Sequence, residues 1–294
     1  MTAVRPTLDV ETARRRVAAH GRWFHEIEVA PGVITPGEDS NRLKLPLLDE
    51  LGLPGDAHGL RVLDLGCSDG FFSFEMEKRG AQVVAADFVA ETATGFAVAR
   101  ELLGSRVEYW TENVYNLDPK RHGKFDVILF LGVLYHLRKP LAALDAIRGV
   151  LNEGGRLFLA TLLIDDFVLL PGGTTTTLAA LNPALSSLAL WQAYPGDSLN
   201  GDFTNCFAPN RRGLEVALEE AQFEVEEIRQ LAMGGYVRAR AIEEPRSALY
   251  QQLDARLENA PLDPSVPYFL DRDPGKLTLT GPRKRSDPEE PQQE

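Results

Sequence analysis

The chain has 294 residues, 44% of them hydrophobic and 25% charged, which is ordinary for a globular protein of one large domain with appendages. Its formal net charge of −12 disfavours contact with nucleic-acid phosphates, and the absence of a long apolar run argues against both a membrane span and a secretory leader. The two cysteines, Cys67 and Cys206, form no CxxC pair, so we expect a cytoplasmic protein with no disulfide framework and no metal site.

Residues 1–58 predict an N-terminal helical cap or lid. Apolar residues recur with helical spacing over residues 9–29, whereas residues 30–40 are rich in glycine and proline and predict turns. The segment NRLKLPLLDELG then predicts a short helix that ends at its glycine.

Residues 59–243 alternate apolar strand patterns with helical patterns. The strand candidates are RVLDLG, AQVVAAD, RVEYWTENV, FDVILFLG and GRLFLATLLI. Strands rich in Val, Leu and Ile that alternate with helices are typical of parallel βαβ units. We therefore predict an α/β, doubly wound sheet with helices on both faces.

An irregular segment at residues 165–208 interrupts this alternation. It is rich in Gly, Pro, Thr, Asn and Ser, and an insertion of this length in a compact domain is usually functional. A helix and two strands, EVEEIRQL and GGYVRARAI, then complete the domain. Residues 244–294 predict one helix and a flexible acidic tail.

The loop after the first strand of the sheet, D-L-G-C-S-D-G, covers Asp64 to Gly70. Its glycines permit positive φ and close approach of a ligand, and the following helix offers free backbone N–H groups. Ser68 stands where a pyrophosphate-binding loop needs a glycine, which makes a dinucleotide a poor fit. Asp64 and Asp69 favour a cationic ligand. A simple strand-to-helix turn is an equally good reading of the loop alone.

Two further strand ends point to an adenosyl ligand. Asp87 ends the second strand of the sheet, where an acidic residue can accept hydrogen bonds from a ribose diol. Asn113 and Val114 follow the third strand and could contact an adenine edge and face. A solvated aspartate and an ordinary turn are the structural alternatives.

Residues 125–165 and the D-L-G-C-S-D-G loop resemble class I S-adenosylmethionine-dependent methyltransferases. More narrowly, GVLYHLRKPL, TLLID and WFHEIEVAPGVITPG resemble the family that converts tRNA wobble 5-hydroxyuridine into its 5-oxyacetic acid or methoxy form. The broad resemblance implies a seven-stranded Rossmann-like sheet with one antiparallel strand. It implies a cofactor site formed by Asp64, Gly66, Cys67, Ser68, Gly70, Phe71, Asp87, Phe88, Asn113, Val114, Leu131 and Gly132.

The carboxymethylating branch of the wobble family implies a carboxylated S-adenosylmethionine. That branch holds the extra carboxylate with a lysine, a tyrosine and an arginine. Tyr135 matches the tyrosine, and Lys44 lies near the expected distance from the first strand in a different local sequence. Arg238 lies inside a strand pattern, where the family's arginine precedes the strand.

Three side chains are candidate catalytic bases for a methyl acceptor that must lose a proton. His136 follows the fourth strand of the sheet, and an imidazole with an unperturbed pKa near ~6.5 suits this role. Tyr135 and His25 are the alternatives. A packed imidazole, a loop-capping hydroxyl and a helix-end aromatic cluster are the structural readings of these residues.

Trp23, Lys44, Trp191 and Tyr194 are the candidate substrate-binding residues. The aromatic side chains could form an apolar platform for a planar or aliphatic acceptor, although packing explains each equally well. We therefore predict methyl transfer to an oxygen or nitrogen of a soluble small molecule, by a protein that is compatible with a homo-oligomer. The alternatives are a tRNA wobble-uridine enzyme and a cofactor-binding protein without turnover.

Overall fold

The computed structural model describes residues 9–38 and 41–242. The helix and tail predicted for residues 244–294 lie outside this part of the chain. The strands are β1 (Glu28–Ala30), β2 (Val33–Ile34), β3 (Arg61–Leu65), β4 (Gln82–Asp87), β5 (Glu108–Thr111), β6 (Phe125–Leu131), β7 (Leu151–Leu162), β8 (Val168–Leu169), β9 (Thr175–Thr176), β10 (Trp191–Ala193), β11 (Phe207–Pro209), β12 (Phe223–Leu231) and β13 (Gly234–Ala241). The α-helices are α1 (Val10–His20), α2 (Asn41–Glu50), α3 (Phe71–Lys78), α4 (Phe96–Leu103), α5 (Pro119–His122), α6 (Pro140–Gly149), α7 (Leu178–Leu181) and α8 (Arg211–Glu220).

Seven strands form one mixed sheet in the order β12-β13-β7-β6-β3-β4-β5. The strands from β7 to β5 pair in parallel, while β13 is antiparallel to both of its neighbours. The strand order reverses beside β3, so the carboxyl ends of β3, β4 and β6 border one crevice. The predicted doubly wound seven-stranded sheet is confirmed.

Apolar side chains cover both faces of the sheet. Val62 and Val127 point into one buried cluster, while Leu63 and Ile128 point into a second cluster on the other face. Each strand alternates its side chains between the two faces, so a strand buried on both sides must be apolar throughout. This explains why the apolar runs predicted these strands well.

The first helix is shorter than the sequence predicts. Asp9 caps it, accepting a hydrogen bond from the Thr12 nitrogen at 2.9 Å, and it ends at His20. Gly21 follows with a φ of +87°, a conformation that glycine adopts without strain and that terminates a helix. The predicted helix over residues 21–29 is therefore wrong. The chain there runs into the β1–β2 hairpin, which begins at Glu28 and ends at Ile34, within the segment expected to be irregular.

The N-terminal segment contributes to the main core. Val17, Trp23, Ile27 and Val33 are all buried in the same cluster as Phe74 of α3. The segment therefore packs as a layer against one face of the sheet.

The insertion after β7 has more structure than its composition indicates. Strand β8 pairs with β9, and β10 pairs with β11. A small apolar cluster between them contains Ile164, Val168, Leu178, Tyr194, Leu199 and Ala208. The insertion is thus a small folded unit with its own apolar core, where an irregular loop was expected.

Candidate functional site

The loop after β3 has a backbone that only certain residues adopt easily. Gly66, Ser68 and Gly70 have φ values of +74°, +49° and +89°. A Cβ at Gly66 would lie 2.3 Å from Val133 Cγ2, and one at Gly70 would lie 2.6 Å from the Phe96 ring. Both glycines are therefore required by conformation and by space, whereas Ser68 takes the left-handed conformation with a side chain present.

Asp64, at the start of this loop, is buried. It is 3% exposed, and its Oδ2 accepts a hydrogen bond from Ser73 Oγ at 2.5 Å. Burial, together with the negative charge of Asp87, raises the pKa of Asp64 to about 7. The carboxyl group of Asp64 therefore titrates near neutral pH. A nearby cation would favour its charged form.

Asp87 and Phe88 lie side by side at the carboxyl end of β4. Asp87 is 8% exposed, and its Oδ2 accepts from the Ser68 nitrogen at 3.1 Å. Burial raises its pKa above the ordinary value. Phe88 is 77% exposed, so an acceptor group and an open aromatic face adjoin the loop.

Asp69 has a structural role that the sequence did not reveal. It is 2% exposed. Its Oδ2 accepts from the backbone nitrogens of Phe24 and His25 at 2.5 and 2.9 Å, and its Oδ1 accepts from the Gly95 nitrogen at 2.7 Å. These backbone donors satisfy the carboxylate, so Asp69 has a structural role, and its effect on a cationic ligand stays a prediction.

Cys67 and Phe71, two further expected cofactor residues, contribute differently to this region. Cys67 is 2% exposed, and burial raises the pKa of its thiol well above the usual range. Only the backbone of Cys67 is therefore available to a ligand. Phe71 is half-buried, and its ring centroid lies 6.2 Å from that of His25.

The segment after β5 carries Asn113 and Val114. Asn113 is exposed, and its Oδ1 accepts from the Tyr115 nitrogen at 3.1 Å, which caps a short 3₁₀ turn at Val114–Asn116. Val114 is half-buried against the sheet. Glu112 precedes them, and its carboxylate is already paired with Arg121 at 2.9 Å.

A tight turn after β6 carries Tyr135 and His136. Leu131 ends the strand half-buried, and Gly132 has a φ of +79° and donates to the Ala160 oxygen at 2.9 Å. His136 Nδ1 lies 2.8 Å from Thr204 Oγ1 of the insertion. Burial lowers the pKa of His136 below its ordinary value, against the opposing effects of Thr204 and Asp202. Burial therefore favours the neutral form of the His136 imidazole.

His25 lies in an aromatic group beside the β3 loop. Its side chain is 5% exposed, and its ring centroid lies 4.9 Å from that of Phe24 and 6.1 Å from that of Phe72. Asp69 fixes its backbone. His25 therefore lies close in the fold to the loop after β3, and a covering role for its segment stays a prediction.

Two of the expected substrate residues are core residues in this structure. Trp23 is 1% exposed, and its indole N–H donates to the Val17 oxygen at 3.0 Å. Tyr194 is 6% exposed in the core of the insertion, and burial raises its pKa to about 12. Both rings are thus used in packing, with almost no surface left for an acceptor, because each fills an apolar cluster that the sequence pattern did not delimit.

The remaining candidates lie at the edge of the packed regions. Trp191 is half-buried in β10, and Lys44 is half-buried on α2. Arg238 donates to the Leu51 oxygen and forms an ion pair with Glu226 at 2.7 Å. Arg238 thus contacts Leu51, the residue after α2, and Glu226 of β12.

The structure adds two residues that sequence reasoning missed, Asp202 and Thr204. They lie in the segment DFTNC of the insertion, where no sequence motif indicates a role for either residue. Across residues 9–38 and 41–242, no group of three His, Cys, Asp or Glu side chains could hold a metal ion. No helix within those ranges has the length and apolar character needed to cross a membrane.

Comparison with known proteins identifies the family. Residues 37–228 match the model of the methyltransferase domain. One region is 40% identical over 111 residues to the tRNA U34 carboxymethyltransferase of Campylobacter hominis, covering 37% of this chain and 39% of that protein. The chain is also 36% identical over 104 residues to the ubiquinone biosynthesis O-methyltransferase of Xanthomonas euvesicatoria, covering 35% of this chain and 44% of that protein. The chain thus matches less than half the length of these curated relatives.

A solved structure agrees with the domain match. The N-terminal domain of EvdMO1, crystallised in the presence of S-adenosylhomocysteine and D-fucose, superposes with a TM-score of 0.56 at 21% identity, covering 81% of this chain and 98% of that one. The family and this fold agree with the expected cofactor, S-adenosylmethionine. The chain therefore belongs to the methyltransferase domain family and has the fold of class I S-adenosylmethionine-dependent methyltransferases.

Proposed function

We propose that the protein transfers a methyl group from S-adenosylmethionine to an oxygen or nitrogen of a small-molecule acceptor. The observation that carries this proposal is the half-buried imidazole of His136 on the turn after β6, where burial lowers its pKa and favours the neutral form. A neutral imidazole can take the proton that a hydroxyl or amine must lose when it is methylated.

The residues of the loop and of β4 suit a cofactor that is a nucleoside without phosphates. Asp87 would hold the ribose diol, and the exposed face of Phe88 would contact the adenine. Asp64, with its pKa near 7, would be favoured in its charged form by a sulfonium or ammonium group. Bound S-adenosylmethionine supplies a methyl group that is open to in-line displacement.

The chain's own residues have three tasks in this reaction. The β3 loop and Asp87 orient the donor, and the N-terminal segment around His25 limits access of water. In the transfer, the acceptor atom bonds to the methyl carbon while the carbon–sulfur bond breaks. The acceptor's proton goes to Nε2 of His136 and then to solvent, and Tyr135 lines the same turn.

A small-molecule acceptor agrees with the charge of the protein. The net charge of −12 repels polyphosphate. Arg238 is bonded to Glu226 and to the Leu51 oxygen, which leaves Tyr135 and Lys44 from the set expected for a carboxylated cofactor. Trp191, half-buried at the edge of the insertion, is the aromatic candidate for contact with the acceptor.

A second candidate function rests on the similarity to tRNA U34 carboxymethyltransferases over 111 residues. In that case the cofactor would be carboxy-S-adenosylmethionine and the acceptor a wobble uridine. The basic residues Arg138 and Lys139, which are exposed beside His136, would then face the nucleic acid.

Mass spectrometry of the ligand that copurifies with the protein distinguishes the two cofactors. Transfer from methyl-labelled S-adenosylmethionine is then measured with a panel of phenols, alcohols and amines, and with bulk tRNA from cells grown without label. We expect label in at least one small molecule and a large loss of transfer in His136→Ala.

Three outcomes would overturn the proposal. Carboxy-S-adenosylmethionine as the copurifying ligand, or label only in tRNA, supports the wobble-uridine function. Cofactor binding with no S-adenosylhomocysteine released across the whole panel supports a binding protein without turnover.

A further inference from the structure

The returning arm of the insertion, residues 202–206, is attached to the turn that carries Tyr135 and His136. The Cys206 nitrogen donates to the Tyr135 oxygen at 2.8 Å, and Cys206 Sγ lies 3.5 Å from the His136 oxygen. The arm also leads into β11, which pairs with β10. Backbone contacts therefore fix the position of Asp202 and Thr204 relative to His136.

A chain of hydrogen bonds runs from Asp202 to the imidazole. Thr204 Oγ1 lies 2.6 Å from Asp202 Oδ1 and 2.8 Å from His136 Nδ1. Hydrogen bonds from Thr204 hold the pKa of Asp202 below its ordinary value, so Asp202 is an anion that only accepts. The single hydroxyl proton of Thr204 must therefore point to Asp202, and Thr204 must accept from His136 Nδ1.

This direction of the hydrogen bonds decides the tautomer of His136. A neutral imidazole carries one proton, and here that proton lies on Nδ1. Nε2 then keeps its lone pair and is the nitrogen that can accept a proton.

We propose that Asp202 and Thr204 are positioning residues that hold His136 in the Nδ1–H tautomer, so that Nε2 acts as the base for the methyl acceptor. This inference rests on the proposed function. When Nε2 takes the proton from the acceptor, the resulting imidazolium is stabilised through Thr204 by the charge of Asp202. The proton then leaves to solvent, and the relay returns to its starting state.

The groups that face His136 set its basicity in opposite directions. Burial lowers the pKa of His136, whereas a hydrogen bond with the Thr204 backbone and the charge of the Asp202 carboxylate raise it. The Tyr135 ring, with its centroid 4.3 Å away, and the Cys206 thiol are the other ionisable neighbours. Removing the Asp202 charge must therefore lower the pKa of His136 and weaken it as a base.

The test uses nitrogen NMR of His136 in the full chain saturated with S-adenosylhomocysteine, with the signal assigned by its absence in His136→Gln. We expect wild type, Thr204→Ser and the control Asp197→Asn to show the Nδ1–H tautomer. Thr204→Val should show a mixture of tautomers, and Asp202→Asn should show a lower pKa of His136. Asp197 is an exposed acid of the same insertion, so its variant matches the loss of charge.

Kinetics complete the test. Thr204→Val should lower kcat about tenfold, which is part of the ~10²–10⁴-fold that general-base catalysis contributes, and Thr204→Ser should restore most of it. In Asp202→Asn the acid limb of the pH–rate profile should move to lower pH and the plateau should fall.

An unchanged tautomer in Thr204→Val, or an unchanged His136 pKa in Asp202→Asn, would overturn the relay. The NMR measurement needs no turnover. If His136→Ala transfers methyl groups at the wild-type rate, the proposed base fails separately from the relay.

Discussion

The carboxylate of Asp69 lies 2.9 Å from the backbone nitrogen of His25, which joins the N-terminal segment to the loop after β3. The same carboxylate also accepts from the nitrogens of Phe24 and Gly95. One side chain thus holds together three separate parts of the chain beside the loop after β3. A buried carboxylate that satisfies several N–H groups is costly to replace.

Asp69→Asn should destabilise the protein by roughly 2–4 kcal/mol. Both carboxylate oxygens of Asp69 accept from backbone N–H groups, so the asparagine NH₂ group would face a backbone donor in either orientation. That donor would lose its hydrogen bond. Urea unfolding measures this change. The exposed Asp197→Asn is the control and should shift stability by less than about 0.5 kcal/mol. Equal stabilities of the two variants would contradict the role of Asp69 as the joining residue.

Gly66→Ala should destabilise the protein for two reasons that can be separated. Its φ of +74° is strained for alanine, and the new Cβ would lie 2.3 Å from Val133 Cγ2. Gly172→Ala isolates the backbone effect, because Gly172 has a φ of +90° with no atom within 4 Å of its ideal Cβ. We expect a cost of about 1–2 kcal/mol for Gly172→Ala and about 1–3 kcal/mol more for Gly66→Ala.

The double variant Gly66→Ala/Val133→Ala should recover part of that difference, as measured by thermal unfolding. If Gly66→Ala and Gly172→Ala lose the same stability, the contact with Val133 does not contribute to the cost at Gly66.

Asp87→Ala should weaken binding of S-adenosylhomocysteine roughly ten- to hundredfold, the loss expected for hydrogen bonds to a charged group. It should leave the protein folded, because burial already raises the pKa of Asp87 and its charged form is costly. Calorimetric titration gives the affinity, and Asp56→Ala, on an exposed acid outside the loop, is the matched control. An unchanged affinity in Asp87→Ala would refute its assignment to the ribose.

Asp64 should make the stability of the ligand-free protein fall as pH rises from about 4 to about 7. Its folded-state pKa of about 7 lies above the ordinary 3.8, so the folded protein holds a proton that the unfolded chain releases, and stability decreases with pH in that window. The size of the effect is on the order of a few kcal/mol. Asp64→Asn lacks this group, so its stability should fall less between pH 5 and pH 8, as urea unfolding at each pH measures. Parallel pH curves for the two proteins would show that Asp64 is not buried as described.

The sheet was predictable because β3, β4 and β6 are covered on both faces and must be apolar along their whole length. The loop between Asp64 and Gly70 was recognisable for a similar reason, since Gly66 and Gly70 occupy positions that only glycine fills without strain. The roles of Asp87, Asn113 and His136 toward a ligand remain predictions, with their positions now described.

The limits of the sequence appear at Trp23 and Tyr194. An aromatic residue in a polar segment predicts a binding platform and a core residue equally well, and its exposure depends on which distant residues pack around it. Trp23 lies against Gly95, and a Cβ there would be 2.3 Å from its ring. No local pattern around residue 23 could indicate that contact.

The sequence by itself determined the fold class, the loop conformation and the family, because strand burial and glycine φ values depend on local residue type and spacing. Only the tertiary structure decided that Asp69 fastens the N-terminal segment and that Thr204 and Asp202 reach His136. His25 and Asp69 are separated by 44 positions in the sequence, and His136 and Thr204 by 68. Hydrogen bonds across such separations depend on how the chain returns to the sheet, which the periodicity of apolar residues does not encode.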